Sequence, residues 1–153
     1  MTLKRIVIKV GTSTLTKEDG NLNIDKINIP YEEIVENALD CFWIVDTSNG
    51  SVVHTNESYC KMSGYTKEEI IGKKVMDFEV GEDLDVVEQT FVTMEQEGTL
   101  SFIATHRKKD NTVARLETNG IFKKIDGKKY IFAFMRDATE KLDIQEKFSA
   151  LNR

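Results

Sequence analysis

Residues 49–72 read NGSVVHTNESYCKMSGYTKEEIIG, and the punctuation of this stretch decides the fold. Asn49-Gly50 is a strong hairpin signal, because both central positions of a type I′ turn need positive φ. An apolar strand is therefore expected on each side, Cys41 to Asp46 before the turn and Ser51 to Thr55 after it. Asn56 then offers a side-chain oxygen to the unpaired N–H groups of a short helix, Glu57 to Ser63, which stops at Gly64. Thr66 and Glu69 have the spacing of a capping box for a second helix, with Gly72 as its stop. The order is hairpin, helix, turn, helix.

Upstream, Pro30 suits a first helical turn, and Tyr31 to Leu39 places Ile34, Val35, Ala38 and Leu39 on one stripe. The first strand shows Phe42, Trp43, Ile44 and Val45 without alternation, which implies that both faces of its sheet are covered. Downstream of Gly72, Val75, Met76 and Phe78 are the expected buried anchors of an irregular connection. A longer helix, Glu82 to Glu97, carries Leu84, Val87, Phe91 and Met94 at helical spacing and ends at Gly98. Three strands follow as a meander, Thr99 to Arg107, Thr112 to Lys123 and Lys128 to Arg136, with turns at Asp110-Asn111 and Asp126-Gly127. From Asp137 a last helix sets Ile144, Phe148 and Leu151 at the spacing of a coiled-coil seam. Five antiparallel strands with helices on one face make an α+β domain.

The segment NESYCKMSGYTKEEIIG closely resembles the part of PAS domains that runs from the second strand through the first helices. Arg107-Lys108-Lys109-Asp110-Asn111 looks like that family's hairpin between its third and fourth strands, and Arg136-Asp137-Ala138-Thr139-Glu140 looks like its C-terminal Asp-x-Thr signature. The resemblance covers about residues 30 to 142. It implies a PAS core at 41–136, a linker and helix at 26–40, and the start of a signalling helix at 137–153 leading to an output domain that this chain lacks, such as a histidine kinase or diguanylate cyclase. It also implies a ligand pocket between sheet and helices, and a joint at Asp137 and Thr139 through which sheet movement reaches the output helix.

Residues 1–25 stand apart from that pattern. KRIVIKVGTSTLT resembles the opening strand and glycine turn of glutamate 5-kinase and its amino-acid-kinase relatives, in which Lys9 and Gly11 would meet ATP phosphates. A lysine leaving a strand beside a glycine turn is a reasonable anion site. Nothing after Asp25 supplies the rest of such a fold, so a leader or fusion remnant is the expectation and a fragmentary amino-acid kinase the alternative.

Composition bounds the function further. The chain of 153 residues suits one well-cored domain. A net charge of −5 leaves no basic face for nucleic acid. Two cysteines, Cys41 and Cys60, form neither a CxxC nor a disulfide framework, and no apolar run is long enough to span a membrane. A cytoplasmic location is expected.

The chemistry of the pocket has few carriers. His54 and His106 are the only histidines; both read as ordinary strand residues, and the long helix has none for haem. Cys60 lacks the NCRFL-type context of flavin-bonding cysteines and reads as a small buried residue. Haem and flavin are therefore disfavoured, and a metal would need more ligands at useful spacing. No nucleophile, base and orienting acid can be assembled, so no enzymatic role is expected. Phe42, His54, Met62, Phe91, Phe102, Arg115 and Met135 are the candidates for the pocket wall, with core packing as the alternative for the apolar ones. Arg115 would clamp a ligand carboxylate if it turned inward; parity alone leaves its direction open. At Asp137, the Glu140 three places on suggests a reciprocal cap, with Thr139 tying the helix start to the sheet edge. The expected function is a PAS sensory or dimerisation module, a homodimer with a possible small-molecule ligand; a ligand-free interaction scaffold is the second alternative.

Overall fold

The computed structural model describes residues 35–152, so the leader at 1–25, with Lys9 and Gly11, lies outside the described residues, as does most of the helix expected over Tyr31 to Leu39. Of that helix, Val35 and Glu36 are helical, and the chain then turns away. Leu39, placed on the apolar stripe of that helix, is 96% exposed. The side-chain amide of Asn56 donates to the carbonyls of Val35 and Asp40 at 3.0 and 2.9 Å, fixing this exit in a non-helical path.

The strands are β1 Cys41–Asp46, β2 Ser51–Thr55, β3 Thr99–Arg107, β4 Val113–Ile125 and β5 Lys128–Asp137. They form one antiparallel sheet in the order β2-β1-β5-β4-β3. Among the described residues the helices that follow are α1 Glu57–Ser63, α2 Lys67–Ile70, α3 Leu84–Glu97 and α4 Thr139–Leu151, with a short 3-10 turn at Val75–Asp77. Among the described residues no helix is long and apolar enough to cross a membrane.

The period of two in a strand sorts the sheet into faces. Trp43, Leu116, Ile131 and Met135 point inward and pack under Tyr59 of α1, Ile70 of α2, Phe78 and Met94 of α3. Phe42 points the other way, its ring 5.0 Å from Phe134 and 6.2 Å from Phe132. Both faces of β1 are thus apolar, and Phe42 itself is fully buried.

Caps fix the helix bounds. Asn56 accepts from the amide of Tyr59, and the Thr66–Glu69 capping box closes on both sides. Asp83 caps α3, so that helix begins at Leu84, two residues later than expected, and Leu84 stands half exposed at its outer end. Of the connection's anchors, Phe78 is buried, whereas Val75 and Met76 are only half-buried.

The first hairpin departs from the expected type I′ turn. Only Gly50 has positive φ, at 70°, and the loop spans Thr47 to Gly50, with the Gly50 amide donating to the Asp46 carbonyl at 2.8 Å. Asn49 is not left-handed because its side chain serves the next strand, accepting from the Ser51 amide and hydroxyl at 3.0 and 2.7 Å. The paired left-handed residues appear instead at Asp126 and Gly127, φ 51° and 80°.

Candidate functional site

A cavity of about 220 Å³ lies between the inner face of the sheet and α3. Its sheet wall is Trp43, Val45, Phe102, Ala104, Ile131, Ala133 and Met135; Val87, Phe91 and Met94 close it from α3, and Glu79 and Val75 from the preceding connection. Glu82 and Thr90 also reach its lining. Strand alternation explains the membership: residues of one parity on β3 and β5 share the face that carries Trp43.

The polar end is built on His106. Its ring stacks on Trp43 with centroids 4.8 Å apart, and its Nδ1 lies 3.0 Å from the Tyr59 hydroxyl. Burial pushes the Tyr59 phenol above its usual range, so the group remains O–H. Donation from that O–H to Nδ1 leaves the proton on Nε2, which faces the Glu79 carboxyl at 3.8 Å. The opposite tautomer would aim a lone pair at the carboxylate.

Burial lowers His106 to about 4, so its imidazole is neutral at physiological pH. Burial, with Glu82 nearby, raises Glu79 to about 7. Besides Glu82 and Thr90, two further polar residues line the cavity. Trp43 Nε1 is buried without a hydrogen-bond partner among the described residues, and the Thr118 hydroxyl donates to the Leu116 carbonyl of its own strand at 3.0 Å.

Of the residues picked out from the sequence, Phe91, Phe102 and Met135 line the cavity. Phe42 and His54 do not: they meet edge to face at 6.0 Å on the outer face, Phe42 by its parity on β1 and His54 because the bulge in the β1–β2 pairing sets it opposite Ile44 and not on the side of Val52. Met62 packs against the core from α1 outside the cavity lining. Arg115 also faces outward. Its guanidinium does clamp carboxylates, but those of α4, with Glu146 at 2.8 Å and Asp143 at 3.5 Å.

Trp43, Glu79, His106 and Thr118 were not singled out as wall residues. His106 was within reach, because it shares parity with Phe102 on β3. Glu79 had no such signal, since its segment is irregular; an isolated bridge to His106 places it.

Burial raises the Cys41 thiol to about 12 and also raises that of Cys60, which favours the protonated thiol at both. Among the described residues no group of three or more potential ligands is placed to hold a metal.

The cavity wall runs directly into the C-terminal joint. Thr118 pairs with Met135, and two residues on, Leu116 pairs with Asp137. The Arg115 amide donates to Thr139 Oγ1 at 2.9 Å, the Ala138 amide donates to the Arg115 carbonyl at 2.8 Å, and the Thr139 hydroxyl donates to Asp137 Oδ1 at 2.6 Å. The reciprocal cap expected between Asp137 and Glu140 is absent. Asp137 is still a strand residue, its carboxylate taken by the amide and hydroxyl of Thr139, and Ala138 holds the cap position.

Solved structures share this architecture. The PAS domain of an HTR-like protein from Haloarcula marismortui superposes with TM-score 0.64 at 21% identity, covering 69% of this chain and 87% of that one. The PAS domain of a Colwellia psychrerythraea protein gives 0.64 at 19% identity, covering 71% and 93%. A PAS domain from a two-component sensor histidine kinase gives 0.60 at 16% identity, covering 69% and 91%. At these identities the likeness is one of fold. The PAS domain family itself matches the sequence over residues 39–140, more than half of the chain, and the chain therefore belongs to that family.

Proposed function

We propose that this PAS domain is a sensory module in signal transduction: a small molecule in the cavity, or a partner on the sheet, changes the packing of β4 and β5, and the change passes through Asp137 and Thr139 to α4. The observation that carries the reading is continuity. Met135 and Thr118 line the cavity, and their own segments reach the Arg115–Thr139 joint within four residues. The PAS domain of a two-component sensor histidine kinase is among the fold's likenesses, and an output unit of that kind, or a diguanylate cyclase, is the proposed receiver. No catalytic step is assigned to the domain, since both thiols are held protonated and His106, neutral, serves Tyr59.

A second copy of the chain is the proposed partner. Ile144, Phe148 and Leu151 on α4 are 58%, 67% and 84% exposed, and Leu39 is more so. Apolar side chains this open favour a homodimer over a bare monomer.

Native mass spectrometry of the purified protein, with hydrogen exchange across residues 139–151 before and after ligand removal, tests the sensory reading. Slower exchange of α4 in the loaded form supports it; a loaded cavity with α4 exchange unchanged would overturn it.

A further inference from the structure

The gap between His106 Nε2 and Glu79 Oε2 is 3.8 Å. That is too long for a direct hydrogen bond, whereas an oxygen atom about 2.8 Å from each would sit beside the line joining them, in the cavity that both residues line. Such an atom must accept from the imidazole N–H and donate to the carboxylate. Trp43 is stacked on His106 and backs this end with its ring. The polar end therefore offers the imidazole N–H as donor and the Glu79 carboxyl as its partner.

Ligand charge follows from the same inventory. Among the described residues no lysine or arginine lines the cavity, so an anion would be buried beside Glu79 without a counter-charge. An ammonium group has donors only and would leave the imidazole N–H unanswered. A hydroxyl does both jobs. Apart from Glu82, Thr90 and Thr118 the remaining walls are apolar, with the rings of Trp43, Phe91 and Phe102 and the thioethers of Met94 and Met135. A dry apolar cavity of about 150 Å³ accepts benzene, so about 220 Å³ accommodates one ring with a substituent or two.

Resting on the sensory reading of this cavity, we infer that its ligand class is a neutral single-ring aromatic carrying one hydroxyl, held through that hydroxyl by Glu79 and His106.

Trp43 is the sole tryptophan, so the single indole N–H resonance of the full chain reports occupancy directly. Titration with 4-methylphenol, toluene, benzylamine and benzoate at pH 7 should rank 4-methylphenol at least tenfold tighter than toluene, with both ions weaker than 4-methylphenol. In Glu79→Leu the tenfold preference for the phenol should vanish while toluene still binds, which also certifies that the variant is folded; in Glu79→Gln, which keeps an acceptor, the preference should survive. Equal binding of toluene and 4-methylphenol, tighter binding of either ion, or an undiminished preference in Glu79→Leu overturns the inference and leaves the sensory cavity standing. Failure of all four probes to move the resonance overturns the inference as well, while the sensory reading is decided by the exchange of α4. The ranking in the unaltered protein decides even where a variant does not fold.

Discussion

The backbone amide of Arg115 donates to the side-chain hydroxyl of Thr139 at 2.9 Å, so the first residue of α4 is hydrogen-bonded to the strand whose Thr118 lines the cavity. The same hydroxyl donates to Asp137, which makes Thr139 a two-way tie between β4 and the end of β5. Thr139→Val keeps the shape and removes both bonds. At about 1 kcal/mol per bond, with a partly buried amide left unpaired, the domain should lose about 2 kcal/mol, and hydrogen exchange in the first turn of α4 should quicken. Thr139→Ser should restore both readings. Unchanged exchange in Thr139→Val would show that α4 is held by its ion pairs instead.

The buried pair in the cavity sets two opposed pH dependences. Glu79 rises from 4.5 to about 7 in the folded state, so the fold binds a proton there that the unfolded chain releases, and its contribution to stability declines as pH climbs from 4.5 to 7. His106 falls from 6.5 to about 4, so the unfolded chain binds the extra proton and stability declines as pH drops from 6.5 to 4. Between about 4.5 and 6.5 the two slopes oppose each other. Relative to the parent, Glu79→Gln should therefore lose stability more steeply on acidification, and His106→Gln more steeply on raising pH toward 7. Urea titrations at pH 4.5, 5.5, 6.5 and 7.5 measure both; parallel profiles for all three proteins would contradict this assignment.

The fold was legible from caps and alternation because each is a local rule. Asn56, Thr66, Glu69 and Gly98 act within one turn of their own positions, and the bounds they imply agree with the structure. The site was legible only in part. Phe91, Phe102 and Met135 lie on regular elements, where spacing assigns a face, although the same kind of reasoning misplaced Phe42 because β1 is apolar on both sides. Glu79 reaches His106 through one isolated bridge across 27 positions of sequence, and no periodicity encodes that. Asn56 was readable as a cap, but not its grip on Val35 and Asp40, which depends on where the preceding chain passes.

Gly120 on β4 sits where a Cβ would meet Met94 Sδ at 2.3 Å, so its missing side chain lets α3 approach the sheet. In Gly120→Ala the thioether must swing aside, and the cavity that Met94 lines is the adjacent free space. Overpacking of this kind costs about 1–3 kcal/mol. Thermal melts should show a drop of several degrees, and toluene should bind more weakly than to the parent. A variant with the parent's melting point and full toluene affinity would mean that α3 yields as a whole.

Asn56 is wholly buried and makes four hydrogen bonds: its oxygen accepts from the amides of Phe42 and Tyr59 at 3.0 and 3.1 Å, while its nitrogen donates to two carbonyls. Asn56→Ala removes the cap of α1 and leaves buried amides unmet, a loss of about 2–4 kcal/mol. Asn56→Asp retains the acceptor but turns an oxygen toward the carbonyls of Val35 and Asp40, so it should fail to rescue stability even at neutral pH. Chemical denaturation of both variants checks this. Recovery of parental stability by Asn56→Asp would place the value of this residue in the cap alone.

Association depends on the apolar side chains that the domain leaves open. Leu39 is 96% exposed before β1, and Phe148 and Leu151 are 67% and 84% exposed on α4. On the outer face of the sheet, Phe132 and Phe134 remain only half-buried beside Phe42. Burying one large apolar side chain is worth about 1.5–3 kcal/mol, and a two-fold contact uses each residue twice. A single Leu39→Asp or Phe148→Asp should therefore weaken a homodimer at least tenfold, whereas neither belongs to the buried core cluster and the monomer should stay folded. Analytical ultracentrifugation gives the dissociation constants, and circular dichroism confirms the fold. A parent that sediments as a monomer at high concentration, or variants that dimerise as tightly as the parent, would assign these side chains to a different contact.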